Sequence, residues 1–119
     1  MKPLFVNYPK CSTCQKAKKW LEENNIEFES RHIVENNPKK EELKIWSSLS
    51  GEPIQKFFNT SGILYREMNL KEKRNTASEE ELLEILSTNG MLVKRPLLIT
   101  ENTVLIGFKP AKWAEYFNK

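Results

Sequence analysis

Tyr8-Pro9-Lys10-Cys11-Ser12-Thr13-Cys14-Gln15-Lys16-Ala17 holds both cysteines of the chain, separated only by Ser12 and Thr13. The apolar run Leu4-Phe5-Val6 precedes it. After it, Cys14, Ala17 and Leu21 share one side of a helical pattern while Lys16, Lys19 and Glu23 share the other. A strand buried on both faces, followed by an amphipathic helix over about 12–24, accounts for both patterns. Cys-x-x-Cys at a strand-to-helix junction reads as a redox site. The first cysteine meets the unsatisfied N–H groups and positive dipole end of the helix, which favour a thiolate. The second lies one turn further in, within reach of a mixed disulfide on the first.

Cys11 is therefore the expected nucleophile and Cys14 the expected resolving cysteine. The bland reading of Cys14 is a core-facing residue, since it shares the apolar stripe. Ser12 and Thr13 supply backbone N–H groups that either cradle a thiolate or substrate anion or serve as ordinary first-turn groups. Lys10 and Lys16 add positive charge that lowers a thiol pKa when it lies close enough. A zinc site needs about four ligands. Two cysteines and one histidine do not supply them, so no metal and no cofactor are expected. His32 shares strand parity with Phe28 and Val34 and reads as structural.

The 19 basic and 16 acidic residues leave a net charge of +3, spread along the chain rather than gathered in one patch. This argues against direct nucleic-acid binding. No apolar run approaches the roughly 20 residues of a membrane span. Met1-Lys2-Pro3 enters a strand with no signal-peptide apolar region, so a cytoplasmic location is expected. In that reducing setting a close cysteine pair is more often catalytic, redox-sensing or metal-binding than a structural staple. The length of 119 residues suits one domain, expected to be monomeric.

Alternation over Ile26, Phe28, Ser30, His32 and Val34 marks a second strand, and strand–helix–strand implies a parallel pair. Asn36-Asn37-Pro38 opens a helix over about 38–49 that buries Leu43, Trp46 and Leu49. Short helical patterns continue through Ile54, Phe57 and Phe58, then Ile63, Leu64, Met68 and Leu70. Ser78-Glu79-Glu80-Glu81 starts another helix, and Asn89-Gly90 stops it. Leu97–Thr100 and Thr103–Gly107 form a hairpin around Glu101-Asn102. Pro110 begins a last helix burying Trp113 with Tyr116 or Phe117. The fold class is α/β: a mixed four-stranded sheet flanked by helices, its β-α-β and β-β-α halves separated by a helical block at about 38–89.

Tyr8–Cys14, Met91-Leu92-Val93-Lys94-Arg95-Pro96-Leu97, and Gly107 with the closing helix together resemble the thioredoxin-like arsenate reductase/Spx family. The resemblance covers essentially the whole chain. It implies a cis Pro96 facing the cysteine loop and an Arg95 that points into the site as anion or thiolate partner. It implies thiol–disulfide chemistry with an external thiol donor such as glutathione, glutaredoxin or thioredoxin. Arsenate reductases of this family bind the oxyanion with further arginines. Here those regions read Asn59-Thr60-Ser61-Gly62-Ile63 and Gly107-Phe108-Lys109-Pro110. The Spx branch carries Cys-x-x-Cys as a redox switch and docks on the RNA polymerase α subunit, partly through a glycine comparable to Gly51. The plain reading of Gly51 is a helix C-cap.

Overall fold

The computed structural model describes residues 2–119. Strand β1, Leu4–Asn7, is central, and its neighbours Phe5 and Val6 are both fully buried although they point to opposite faces. Helices therefore cover both sides of the sheet. The strand order is β2-β1-β3-β4, with β2 at Glu29–His32, β3 at Leu97–Ile99 and β4 at Val104–Ile106. β1 runs parallel to β2 and antiparallel to β3, with Phe5 opposite Leu98, and β3 and β4 form the expected hairpin. This is the mixed four-stranded sheet anticipated from the element order, in the thioredoxin-like arrangement that the resemblance implies.

On one face Phe5 and Leu98 pack against Ala17 and Leu21 of α1 (Ser12–Glu23) and Trp113 of α6 (Pro110–Phe117). Trp20, Phe108 and Phe117 pack around this cluster, and the Trp113 indole N–H donates to the Gly107 carbonyl at 3.1 Å. On the other face Val6, Leu97 and Ile99 meet the helical block. That block comprises α2 (Lys40–Ser50), α3 (Ile63–Glu67), α4 (Leu70–Thr76) and α5 (Glu79–Ser87). Ser78 Oγ accepts the Glu81 N–H at 3.2 Å, capping α5 as its sequence suggests. Among the described residues no helix is long and apolar enough to cross a membrane.

Five sequence expectations are corrected. The β2 alternation stops at His32, and Ile33 rather than Val34 is buried. His32 Nδ1 accepts the N–H groups of Val34 and Glu35, so the chain turns there and its parity shifts by one. The next helix starts at Lys40, not Pro38, because the Glu42 carboxylate accepts the Lys39 N–H at 3.0 Å. Glu42 also takes Arg31 in a bidentate pair at 2.6 and 2.8 Å. Leu43 and Trp46 are buried as expected, but Leu49 lies on the open side of α2. In the middle of the block Tyr65 and Leu70 take the core positions, leaving Ile63 and Met68 exposed.

Gly90 is the fifth. It is a packing glycine rather than a helix stop. A Cβ there would lie 1.9 Å from the Ile33 carbonyl oxygen.

Candidate functional site

Cys11 is the N-cap residue of α1, with extended backbone at φ −85° and ψ 123°. Its N–H donates to the Tyr8 carbonyl at 2.9 Å, and its own carbonyl accepts the Gln15 N–H at 3.0 Å. The Gln15 side chain donates to the Pro9 carbonyl at 2.9 Å, closing the loop on itself. No acidic residue occupies the first turn of α1, so no carboxylate competes for its free N–H groups.

The two thiols are pushed apart in acidity. Partial burial works against the Cys11 thiolate. The Cys14 backbone N–H, the Cys14 thiol, the Thr13 N–H and the Arg95 charge together outweigh it, so Cys11 lies below its ordinary pKa. Burial pushes Cys14 up to about 12, against the opposing pull of the Tyr8 N–H, and the neighbouring Cys11 raises it further. The Tyr8 N–H sits 3.5 Å from Cys14 Sγ. Both cysteines are free thiols.

The Arg95–Pro96 peptide bond is cis and Pro96 is buried. The Arg95 guanidinium donates to the Met91 carbonyl at 3.3 Å and lies 5.4 Å over the Tyr8 ring, a cation–π contact. The Tyr8 ring makes an edge contact with His32 at 5.8 Å. Tyr8 thus touches both cysteines through its backbone and Arg95 through its ring.

This geometry predicts a coupling. Arg95→Met should shift the Cys11 alkylation–pH curve to higher pH and slow alkylation at pH 7 severalfold. Tyr8→Leu should shift it the same way by less. It should add nothing in the Arg95→Met background, because the ring acts through the guanidinium. An additive double variant would contradict this.

A cleft of about 670 Å³ opens over Cys11. Cys11 and Thr13 form its floor, and Asn59, Ser61, Ile63, Leu64 and Glu67 line it from the α3 region. Lys94 and Arg95, with Phe108 and Lys109 of the β4–α6 loop, complete it. Of the residues singled out from sequence, the fold brings Cys11, Cys14, Thr13 and Arg95 together, and Pro96 follows Arg95 without lining the cleft. Ser12 and Lys10 are exposed and do not line the cleft. Gly51 does not line it either. It caps α2 in the left-handed conformation, φ +74°, with open space around it.

Sequence reasoning assigned no part to Tyr8, Glu67 or Lys94. Tyr8 adjoins the cysteine loop and Lys94 adjoins Arg95-Pro96, so chain proximity was a usable signal for both. Glu67 had none.

The ArsC family model matches residues 6–116. YusI of Bacillus subtilis (strain 168) is 54% identical over 111 residues, covering 93% of this chain and 94% of its own. The regulatory protein MgsR of the same organism is 35% identical over 108 residues, covering 91% of this chain and 84% of its own. A crystal structure of an ArsC family-related protein from Bacteroides fragilis has 61% identity and a TM-score of 0.92, covering 97% of this chain and 98% of that one. A match across nearly the whole chain, joined to the cysteine loop and the cis-proline loop just described, makes this chain a member of the ArsC family.

Proposed function

We propose that the chain is a thiol–disulfide oxidoreductase of the cytoplasm, working through Cys11 and Cys14. The observation that carries this is the split between the two thiols. Cys11 is held below its ordinary pKa and Cys14 is pushed up to about 12, with the Cys14 thiol donating to Cys11. That is the division of labour exchange needs: one sulfur ready to attack and one held in reserve.

Cys11 would attack a substrate disulfide and form a mixed disulfide, releasing one thiolate. Cys14 would then lose its proton, attack the Cys11 sulfur and release the second. An external thiol returns the protein to the dithiol. Arg95 would stabilise negative charge at Cys11, with the Thr13 backbone N–H beside it. Buried Pro96 would hold Arg95 in register. Ser12 and Lys10, pointing to solvent, would act only at the rim.

Mixed-disulfide trapping tests this. Cys14→Ser should accumulate adducts on Cys11 that a reductant releases, and Cys11→Ser should accumulate none. Equal yields from the two variants would reject the proposal.

The 35% identity to a regulatory protein favours a second reading, a redox-sensing regulator that docks on the RNA polymerase α subunit. Gly51 and the open side of α2, with Ile45 and Leu49 exposed, would be the docking face. Co-purification with the C-terminal domain of polymerase α in one redox state only is its expected signature, and no recovery in either state removes it. Glutaredoxin-dependent arsenate reduction is the third. Asn59, Ser61 and Lys109 stand in the cleft where the arginine-based oxyanion site would require guanidinium groups, so arsenate-dependent thiol oxidation is expected to be absent.

A further inference from the structure

The cleft over Cys11 carries more charge than exchange chemistry requires. Lys94, Arg95 and Lys109 all line it, against the single carboxylate of Glu67. Among the described residues none of the three cations takes part in an ion pair. Lys94 and Lys109 belong to one wall. The Lys94 stem crosses Gly107, its Cε lying 3.4 Å from where a Cβ of that glycine would sit, and Lys109 follows two residues later. Gly107 holds φ +73°, a left-handed backbone that suits glycine. The α3 region supplies a different wall, with Ile63 67% exposed and Leu64 beside it.

The roles of the three cations differ. Arg95 is the one whose charge acts on the Cys11 sulfur. Lys94 and Lys109 therefore address a part of the substrate away from the reacting sulfur. A cleft of about 670 Å³ is also far larger than a tetrahedral oxyanion needs. We propose that Lys94 and Lys109 select disulfides bearing a carboxylate a few bonds from the reacting sulfur. This rests on the exchange reading above and names the substrate class of that site.

The Cys11 thiolate attacks the near sulfur of the substrate. Its S–S bond breaks, and the departing carboxylate-bearing thiolate takes a proton from water. Cys14 releases its proton and attacks Cys11, freeing the second carboxylate-bearing thiolate. The protein loses two electrons to become a disulfide, and the substrate gains them to become two thiols. The lysines offset the repulsion between an anionic substrate and the Cys11 thiolate, which would otherwise slow the encounter.

The test uses the fully reduced 119-residue chain with three small disulfides: dianionic 3,3′-dithiodipropionate, neutral bis(2-hydroxyethyl) disulfide and dicationic cystamine. Rates of protein oxidation, read by acid quench and mass spectrometry, are normalised to those of dithiothreitol with the same disulfides. The dianion should exceed the dication by about tenfold at low salt. The ratio should fall towards one in Lys94→Gln/Lys109→Gln and on raising the ionic strength to about 1 M, where the screening length is about 3 Å. Lys19→Gln/Lys112→Gln, with the same charge change away from the cleft, should keep the preference.

Normalised rates within twofold of one another, or a preference untouched by the Lys94/Lys109 changes, would overturn the selection while leaving exchange intact. Failure of all three disulfides to oxidise the protein would instead overturn exchange, and the selection with it. The homodimeric disulfides of acetyl-Glu-Cys-Leu-amide and acetyl-Lys-Cys-Leu-amide separate the sources. A preference for the glutamate peptide matching that for the small dianion assigns protein segments as substrates. A preference confined to the small dianion assigns a low-molecular-weight thiol.

Discussion

Alanine at position 90 should destabilise the protein by about 3 kcal/mol or more, among the largest effects of any single methyl group in this chain. The added Cβ would sit 1.9 Å from the Ile33 carbonyl oxygen, 2.6 Å from its carbon and 3.0 Å from Val34 Cα. All three are backbone atoms, so no side chain can rotate away. Neither segment yields readily. The Ile33 N–H donates to the Asn7 carbonyl at 2.8 Å, tying it to the central strand. The Gly90 carbonyl accepts the Val93 N–H at 3.1 Å, in the turn leading to Arg95.

With a urea m-value of about 1.5 kcal/mol/M, the unfolding midpoint should fall by about 2 M. Gly51→Ala is the control. It has the strained φ of +74° but nothing within 4 Å of the new methyl, so it should cost only about 1 kcal/mol. Equal midpoints for the two variants would show that the segment carrying Gly90 is free to retreat.

At pH 7, iodoacetamide should label Cys11 at least about 50-fold faster than Cys14. A thiol at the ordinary 9.0 is about 1% thiolate at pH 7, and Cys11 lies below that value. A thiol at about 12 is thiolate in about one molecule in 100,000. The populations therefore differ by about a thousandfold or more. The weaker nucleophilicity of the lower-pKa thiolate returns about twentyfold of this, for a Brønsted slope of about 0.45.

The sign with pH follows. Cys11 labelling should level off once pH passes its lowered pKa, while Cys14 labelling should keep rising tenfold per unit up to about pH 12. Burial reinforces the contrast, because Cys14 is 2% exposed. Each rate is measured by peptide mass spectrometry, with Cys11→Ser and Cys14→Ser isolating the two sites. Comparable labelling at pH 7 would contradict the division of roles. Cys11→Ser should also remove exchange altogether, since no other thiol of the chain reaches the surface.

The amino-acid sequence by itself determined the strands, the cysteine helix and the hairpin. Each depends on contacts close along the chain, through the apolar run before Cys11, the helical spacing of Cys14, Ala17 and Leu21, and the turn at Glu101-Asn102. Residue type and spacing report such contacts directly. The Arg95-Pro96 partnership was legible only through resemblance to a family, because some 80 residues separate it from Cys11. The tertiary structure alone decided the rest. Whether Val34 or Ile33 faced inward turned on a histidine side chain closing a turn. Whether α2 began at Pro38 or Lys40 turned on Glu42 capping it while pairing with Arg31. The need for glycine at position 90 came from a carbonyl of a segment nearly 60 residues earlier. The cationic wall of Lys94 and Lys109, and Tyr8 beneath Arg95, exist only once β1, the cis-proline loop and the β4–α6 loop meet at one end of the sheet. These features depend on side chains and backbone that are distant in sequence and adjacent in space, and periodicity carries no record of them.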